Sequence, residues 1–186
     1  QLRPGALFCV DNCFCSPALQ RPIQLGADVV MHSGTKFLDG QGRVIAGALC
    51  ASEALINEKL VPVMRSAGMS LSPFNAWVVH KGMETLGIRM EAQSARCLQM
   101  ATWLEAHPQV GRVYYPGLKS HPQHQLAMRQ QNANGTGLGG AVLSFEVKGN
   151  SPEQLRKNAF HLIDSTRLIT VASNLGDVKT IITHPA

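Results

Sequence analysis

The sequence predicts an α/β protein, and two observations carry that prediction. Strand-like apolar runs and a short helical segment alternate within the first 33 residues, and a similar alternation returns after residue 108. A strand, a helix and a second strand within such a length form a βαβ unit, whose two strands run parallel. With 186 residues, 45% of them hydrophobic, the chain can bury a substantial core.

The βαβ unit is predicted over residues 6–33. Residues 6–11 (ALFCVD) and 27–33 (ADVVMHS) are continuous apolar runs, as expected for strands that are buried on both faces. Between them, Ser16 and Pro17 begin a short helical piece that Pro22 interrupts and Gly26 ends. A third run, residues 44–50, follows a glycine-containing loop and is predicted to add another strand.

Beyond residue 51 the spacing of apolar residues becomes helical. Ser52 is the predicted N-cap of a helix to about Ala67, and Ser72 is that of a helix to about Leu86. Residues 88–107 are predicted to form a long amphipathic helix with apolar Met90, Leu98, Met100, Ala101 and Leu104. Later strands are predicted at 110–115, 140–147, 167–171 and 178–183, with helices at 122–131 and 151–163. The second half is therefore an α+β unit, and we place a domain boundary near Gly82.

The charged fraction is low for a globular protein. Asp, Glu, Lys and Arg make up 16% of the chain, against roughly 25% in typical domains, which predicts that a partner subunit or another part of the protein covers some of this surface. The basic residues behind the net charge of +5 are scattered singly, so we expect no nucleic-acid partner. There is no long apolar run and no secretory-signal pattern, so we expect a cytoplasmic protein with no membrane partner.

Cysteine and histidine patterns predict no metal site. The five Cys residues lack the C-x2-C spacing of metal ligands, and we expect them to be small buried hydrophobic residues in a reducing compartment. His121 and His124 come without a third ligand in the pattern. A G-x-G-x-x-G match from Gly135 to Gly140 precedes a predicted strand instead of opening a helix, which is typical of a loop and not of a dinucleotide site.

The residues most indicative of function lie at the ends of two predicted strands. Ser33 and Thr35 end the second strand, where hydroxyls and amides can hold a phosphate, and Lys36 follows at once. Such a lysine can form a Schiff base or remain an ordinary solvated side chain. Asp11 ends the preceding strand and should meet Lys36 at the same sheet edge. An acid for a pyridinium nitrogen, a lysine and a phosphate cup together are the parts that a pyridoxal phosphate enzyme needs.

Six segments of the sequence carry recognisable motifs: residues 10–17 (VDNCFCSP), 26–40 (GADVVMHSGTKFLDG), 72–77 (SPFNAW), 82–90 (GMETLGIRM), 115–118 (YPGL) and 174–186 (NLGDVKTIITHPA). Together they resemble the Cys/Met-metabolism pyridoxal phosphate enzymes. The resemblance implies the type I fold of pyridoxal phosphate-dependent transferases, which is aspartate aminotransferase-like. Residues 1–82 would be the end of the large parallel-sheet domain, and residues 83–186 would be most of the C-terminal α+β domain.

The resemblance also implies what surrounds this stretch of chain. Family chains are longer, and their upstream part carries a ring-stacking Tyr, a phosphate loop and residues that reach a neighbouring subunit. The Arg that grips the substrate carboxylate would lie just past Ala186. We therefore expect an internal piece of a homotetrameric enzyme whose active sites are shared between subunits.

By matching position, the resemblance assigns roles to five residues. Lys36 would be the catalytic, Schiff-base lysine, and Asp11 would be the partner of the pyridine nitrogen. Ser33 and Thr35 would bind the cofactor phosphate. Asn174, where the family more often has Ser, would lie near the α-carboxylate of the substrate.

The activity that the resemblance implies is a transferase reaction of methionine biosynthesis and transsulfuration. It is a γ-replacement that makes L-homocysteine from O-succinyl-L-homoserine and sulfide, with pyridoxal 5'-phosphate as cofactor. The alternatives on the same scaffold are a synthase that takes cysteine and a γ-lyase that takes water. A third hypothesis, a non-catalytic α/β binding module, predicts no cofactor uptake.

Overall fold

The computed structural model describes residues 3–133 and 135–185. Its strands are β1 (Cys9–Asp11), β2 (Val29–Ser33), β3 (Gly47–Ala51), β4 (Val110–Tyr114), β5 (Ser144–Val147), β6 (Thr170–Val171) and β7 (Ile181–Ile182). Its α-helices are α1 (Ser16–Leu19), α2 (Glu53–Leu55), α3 (Val61–Ala67), α4 (Pro73–Met83), α5 (Leu86–Ala106), α6 (His124–Gln130) and α7 (Pro152–Asp164). A 3-10 helix covers Pro22–Leu25, and π-helical segments cover Gly34–Leu38 and Ile56–Leu60.

The predicted βαβ unit is confirmed. Strand β2 lies between β1 and β3, parallel to β1 and antiparallel to β3. The chain reverses between β1 and β2 through α1 and the 3-10 helix, which ends at Gly26 with a left-handed φ of 97°. This reversal brings the carboxyl ends of β1 and β2 to one edge of the sheet, which is where the candidate residues were expected.

The core next to this sheet holds the segment that follows β2. Its buried members are Leu19, Phe37, Leu38, Leu86 and Met90. Because Phe37 and Leu38 pack against residues of α5, the stretch between β2 and β3 is fixed from the side of the long helix. Burial of such large apolar side chains contributes about 1.5–3 kcal/mol each, so the core anchors the residues that flank Lys36.

The sheet corrects one prediction about the cysteines. Cys9 and Cys50 are exposed, and Cys13, Cys15 and Cys97 are partly buried. Cys9 lies in β1 and Cys50 in β3, which are the two outer strands of the sheet within the described residues. An outer strand has a neighbour on one side only, so its side chains keep more contact with solvent.

Two predicted helix N-caps, Ser52 and Ser72, are confirmed, and Ser151 forms a third. The hydroxyls of Ser52, Ser72 and Ser151 accept hydrogen bonds from the backbone N–H three residues later. Such caps stabilise a helix by about 1 kcal/mol each, since they satisfy an otherwise unpaired donor. Helix α4 is shorter than predicted and ends at Met83. The expected boundary near Gly82 falls within its last turn and stays a prediction.

The long helix α5 is amphipathic only in part. Met90, Ala101 and Leu104 are buried, as predicted, whereas Leu98 and Met100 are 42% and 46% exposed. Other large apolar side chains are more exposed still, among them Ile45 at 84%, Phe74 at 68% and Leu168 at 96%. These side chains support the expectation that another part of the protein or a partner covers this surface.

The glycine-rich stretch is a loop, as predicted. From Gly135 it runs without regular structure to β5, and the preceding residue, Asn134, lies outside the described residues. The buried hydroxyl of Tyr115 donates to the carbonyl oxygen of Gly140 at 2.8 Å. Across residues 3–133 and 135–185, no helix has the length and apolar character needed to cross a membrane.

Candidate functional site

The candidate site begins where β1 and β2 end. Asp11, the last residue of β1, pairs in register with Met31, and Ser33 lies two residues farther along β2. The backbone N–H of Asn12 donates to the carbonyl oxygen of Met31 at 2.9 Å, which extends the pairing past Asp11. Parallel pairing therefore places Asp11 and Ser33 at the same edge, as the sequence predicted.

Cys13 connects Asp11 with Ser33. Its backbone N–H donates to Oδ1 of Asp11 at 2.9 Å, and the backbone N–H of Ser33 donates to its Sγ at 3.0 Å. The thiol is also hydrogen-bonded to the Asp11 carboxylate. Cys13 thus joins the residue expected at the pyridine nitrogen to one expected at the phosphate.

These contacts set the charges of both residues. Hydrogen bonds from the Cys13 thiol and backbone lower the pKa of Asp11 below its usual value of 3.8, so the carboxylate is ionised at neutral pH. Burial raises the pKa of Cys13 to about 11, and the bond to Asp11 adds to this effect. The positive charge of Lys36 acts against that rise in the pKa of Cys13. The site therefore has a negative Asp11 and a neutral Cys13 thiol.

His32 lies beside this group on the buried side of β2. Burial lowers the pKa of its imidazole, and the nearby Asp11 charge acts in the opposite direction. Its Nδ1 is buried with no hydrogen-bond partner within the described residues. A neutral imidazole agrees with the lowered pKa and with a buried Nδ1 that has no partner among the described residues, so His32 adds little charge to the site.

The two hydroxyls proposed for phosphate binding differ in their surroundings. Oγ1 of Thr35 accepts a hydrogen bond from the backbone N–H of Ala46 at 3.1 Å, and it lies 3.4 Å from the Ala46 carbonyl oxygen. Within the described residues, the Ser33 hydroxyl makes no hydrogen bond and is half-buried. The Ser33 hydroxyl is therefore free to bind a ligand. The Thr35 hydroxyl already accepts a hydrogen bond from Ala46, in the loop before β3, and makes only a long, weak donor contact to the same residue.

Lys36 contacts a residue from the far end of the chain. Its Nζ donates to Oδ1 of Asn174 at 2.5 Å. The Lys36 backbone has φ −91° and ψ −128°, a non-helical conformation that interrupts the π-helical segment Gly34–Leu38. Lys36 therefore departs from the helical conformation of its neighbours, while the next two residues, Phe37 and Leu38, are held in place by burial in the core.

Gly176 allows the turn around Asn174 to approach Lys36. It has a left-handed φ of 86°, and a Cβ at this position would lie 2.6 Å from the carbonyl carbon of Lys36. A larger residue would clash with backbone there, so glycine is required for both reasons. The close approach explains how two side chains separated by 138 residues reach one another.

The structure thus forms two adjoining groups from the predicted residues. One contains Asp11 and Ser33 with Cys13 between them, and the other contains Lys36 and Asn174. Cys13 and Gly176 position the site but were not predicted from the sequence. An acid two residues before a donor backbone N–H is a common turn pattern and was a usable signal for Cys13. Nothing local marked the packing of Gly176.

A separate cavity of about 230 Å³ lies elsewhere in the fold. It is lined by residues at the end of α5, along β4 and in the turn before α6, including Glu105, Arg112 and His121. None of the five candidate site residues lines this cavity. In the parts of the chain that are described, no group of three or more His, Cys, Asp or Glu is placed to hold a metal ion.

Comparison with known proteins adds three similarities. The profile of the Cys/Met metabolism PLP-dependent enzyme family matches residues 3–186. The O-succinylhomoserine sulfhydrylase of Pseudomonas aeruginosa is 54% identical over 182 residues, which are 98% of this chain and 42% of that protein. The L-methionine gamma-lyase of Porphyromonas gingivalis is 45% identical over 183 residues, 98% of this chain and 43% of that protein.

A solved structure is also similar. The crystal structure of cystathionine gamma synthase from Xanthomonas oryzae pv. oryzae, in complex with aminoacrylate and cysteine, superposes with a TM-score of 0.84 at 39% sequence identity. The match covers 94% of this chain and 43% of that one. The chain therefore spans less than half the length of the proteins it matches.

Proposed function

Since the chain belongs to the Cys/Met metabolism PLP-dependent enzyme family, we propose that the full-length protein makes L-homocysteine from O-succinyl-L-homoserine and sulfide. Its fold is the type I fold of these transferases, and its cofactor is pyridoxal phosphate. The single observation that carries the proposed activity is the 54% identity with an O-succinylhomoserine sulfhydrylase. The geometry of Lys36, Asp11 and Asn174 supports it.

The residues at the site fit the chemistry of pyridoxal phosphate. The Lys36 amine matches the aldehyde, the ionised Asp11 matches a protonated ring nitrogen, and the free Ser33 hydroxyl suits a phosphate oxygen. The Gly176 turn leaves no side chain over the Lys36 backbone. When bound, the cofactor withdraws the electrons that a substrate leaves behind at its α-carbon.

Lys36 is the proposed proton carrier. Its amine removes the proton from the substrate α-carbon and returns it at the end of the reaction. Oδ1 of Asn174, 2.5 Å from Nζ, accepts a hydrogen bond from the amine and holds it in one direction. Hydrogen bonds to charged groups are stronger than neutral ones, so Asn174 binds Lys36 best when the amine carries the proton.

Asp11 is the proposed electrostatic partner of the cofactor ring. The lowered pKa keeps this carboxylate negative throughout the neutral range. The backbone N–H of Cys13 fixes one of its oxygens at 2.9 Å, so the negative charge is held in place before any ligand binds. A fixed charge needs no reorganisation during the reaction, which is the main advantage of electrostatic preorganisation.

The proposed replacement balances without a further reactant. The bond between Cγ and the ester oxygen breaks, and succinate leaves. A bond between Cγ and sulfur forms with hydrogen sulfide, which keeps one proton as the thiol and gives the other to the departing succinate, and the proton that Lys36 removed from Cα returns there. No net oxidation occurs, because one leaving group and one nucleophile exchange at the same carbon.

A γ-elimination is the second candidate. A methionine gamma-lyase is 45% identical over nearly the same residues, and Lys36 would serve a lyase equally well. The two reactions differ in whether a thiol or water completes the reaction. We favour replacement because the sulfhydrylase shares more residues with this chain.

The deciding experiment uses the full-length protein with pyridoxal phosphate. O-Succinyl-L-homoserine is supplied with sulfide, with cysteine or alone, and the products are identified by mass spectrometry. We expect homocysteine and succinate with sulfide. Cystathionine as the main product would identify a synthase, and release of ammonia and a keto acid from the ester alone would identify a lyase. Failure of the full-length protein to take up the cofactor would instead support a binding module.

A further inference from the structure

Asp39, three residues beyond Lys36, forms an ion pair with Arg43. We propose that these two residues position Lys36: the closed pair holds the Lys36 backbone and, through Gly42, the turn that carries Asn174. The proposal rests on the proposed function, because it takes Lys36 as the lysine that binds the cofactor. Neither Asp39 nor Arg43 would touch the cofactor or the substrate.

The pair itself is closely built. Asp39 is completely buried, and the Arg43 side chain is 39% exposed. The carboxylate accepts two hydrogen bonds from Arg43, one at Oδ2 from the backbone N–H at 2.7 Å and one at Oδ1 from Nε at 2.8 Å, and Nη2 lies 2.7 Å from the same Oδ1 as an ion-pair contact. Two guanidinium nitrogens on one carboxylate oxygen form a fork that fixes direction as well as distance. Residues 39–43 are thereby folded into a closed loop.

The loop is hydrogen-bonded directly to the Lys36 segment. The backbone N–H of Gly40 donates to the carbonyl oxygen of Lys36 at 2.9 Å, and the N–H of Asp39 donates to that of Gly34 at 3.1 Å. The non-helical Lys36 backbone lies between these two bonds. Its orientation therefore depends on where the loop places Gly40.

Helices α4 and α5 fix the loop from another direction. A Cβ on Gly82 would lie 2.4 Å from the carbonyl oxygen of Asp39, and a Cβ on Gly40 would lie 2.2 Å from Nη1 of Arg89. The Arg89 guanidinium also donates to the carbonyl oxygen of Gly82 at 2.8 Å. Because the Asp39 backbone packs directly on Gly82, and the Arg89 guanidinium lies between Gly40 and the Gly82 carbonyl oxygen, movement of the loop would disturb the α4–α5 junction.

The same loop adjoins the turn that carries Asn174. Gly42 has a left-handed φ of 65°, and a Cβ there would lie 3.3 Å from Oδ2 of Asp177. Gly176, in the same turn, packs on the Lys36 carbonyl carbon. The Asp39–Arg43 loop thus contacts the segments of both partners in the 2.5 Å bond between Lys36 and Asn174.

The test uses Arg43→Gln, Asp39→Asn and the double variant in the full-length protein. In Asp39→Asn, an amide NH2 group replaces one carboxylate oxygen, so one N–H donor of Arg43 faces another donor and loses its hydrogen bond. Glu84→Gln is the matched control, since it removes an exposed ion pair, between Glu84 and Lys81 at 2.7 Å, of the same charge type. Three quantities are measured: kcat and KM, hydrogen exchange of the cofactor-free protein at residues 34–43 and 174–177, and the pH midpoint of the visible absorbance that Lys36 gives with pyridoxal phosphate.

We expect each single variant to lower kcat by about 10²-fold, the effect of an ångström-scale misplacement, with little change in KM. The Gly40 amide should exchange faster and the absorbance midpoint should shift, whereas Glu84→Gln should change none of these. The double variant should be no worse than either single variant, because the pair acts as a unit. Unchanged exchange and unchanged kcat in Arg43→Gln, or additive losses in the double variant, would overturn the proposal.

A second variant and the cofactor-free measurements cover two other outcomes. If Arg43→Gln does not fold, Arg43→Lys keeps the charge without the fork, and it should give a smaller loss with the same direction of change in exchange. Full kcat and wild-type exchange in Arg43→Lys would count against the pair. If the wild-type protein lacks sulfhydrylase activity, the proposed function fails. The exchange and absorbance measurements then still decide whether the pair positions Lys36.

Discussion

The amine of Lys36 donates a hydrogen bond to the amide oxygen of Asn174 at 2.5 Å, across 138 residues of sequence. This bond joins the segment after β2 to the turn before β7. Gly176 makes it possible, because no side chain separates that turn from the Lys36 backbone. The orientation of the proposed catalytic amine therefore depends on a residue far from it in the sequence.

Replacing Asn174 tests this dependence. In Asn174→Ala the Lys36 amine loses its oxygen acceptor, and a hydrogen bond to a charged group contributes about 1.5–3 kcal/mol. We expect kcat for homocysteine formation to fall about 10-fold or more, while the cofactor still binds. The control is Asn158→Ala, which removes an exposed amide that donates to the Lys148 carbonyl oxygen. An Asn174→Ala enzyme with the wild-type kcat would contradict the proposed role.

Lys36→Ala tests the covalent link to the cofactor. Because Lys36 is the proposed Schiff-base residue, its removal from the full-length protein should abolish the visible absorbance and lower kcat by about 10²–10⁴-fold. Lys81→Ala is the control, since Lys81 is an exposed lysine that bonds Glu84 at 2.7 Å. An unchanged spectrum in Lys36→Ala would mean that another lysine binds the cofactor.

Asp11→Asn removes the charge but keeps an oxygen for the Cys13 N–H. The ring nitrogen then has no anion to keep it protonated, and we expect kcat to fall roughly 10²–10³-fold, as for loss of other preorganised electrostatic groups. Asp28→Asn is the matched control, because Asp28 is also exposed in the βαβ unit and accepts from the Phe8 N–H at 2.7 Å. Equal activity of both variants would refute the assignment of Asp11.

Much of this site could be predicted because its parts are local. Apolar runs marked β1 and β2, and parallel pairing then required Asp11 and Ser33 to share an edge. The N-caps at Ser52 and Ser72 were also visible, since a cap depends on residues within one turn. In each case a few neighbouring residues determine the structure.

The long-range contacts could not be predicted from spacing. Resemblance alone placed Asn174 near the substrate, and nothing in its neighbours indicates a bond to Lys36. The Asp39–Arg43 pair carries a visible signal, opposite charges four residues apart, but outside a helix such spacing says nothing about contact. The exposure of Cys50 was missed because it depends on which strand lies beside β3.

Gly82→Ala tests the packing that supports the Lys36 segment. The new methyl would lie 2.4 Å from the Asp39 carbonyl oxygen and 2.5 Å from that of Leu38, so α4 must shift. Overpacking of this kind costs about 1–3 kcal/mol, and the urea midpoint of unfolding should fall.

Gly87→Ala is the control within α5, where a Cβ meets nothing within 4 Å. It should raise the midpoint, since Ala favours a helix by about 0.8–1 kcal/mol over Gly. A fall in both variants would show that the loss does not come from the Asp39 contact.

The Cys13 thiol gives a prediction about pH. Its pKa is raised from 9.0 to about 11, first by burial and then by the bond to Asp11. At pH 9 the thiolate fraction of Cys13 should therefore be about one hundredth, against about half in the unfolded chain. Since the folded state keeps the proton, this group's contribution to stability is present below pH 9 and is lost as the pH rises toward about 11.

Alkylation by iodoacetamide, followed at the Cys13 peptide by mass spectrometry, should be slow at pH 9 in the folded full-length protein and fast in urea. Asp11→Asn should speed the folded-state reaction, because it removes the carboxylate charge that opposes the thiolate. If Cys13 reacts at the same rate in the wild type and in Asp11→Asn, the hydrogen-bonded connection between Asp11 and Cys13 does not control the thiol.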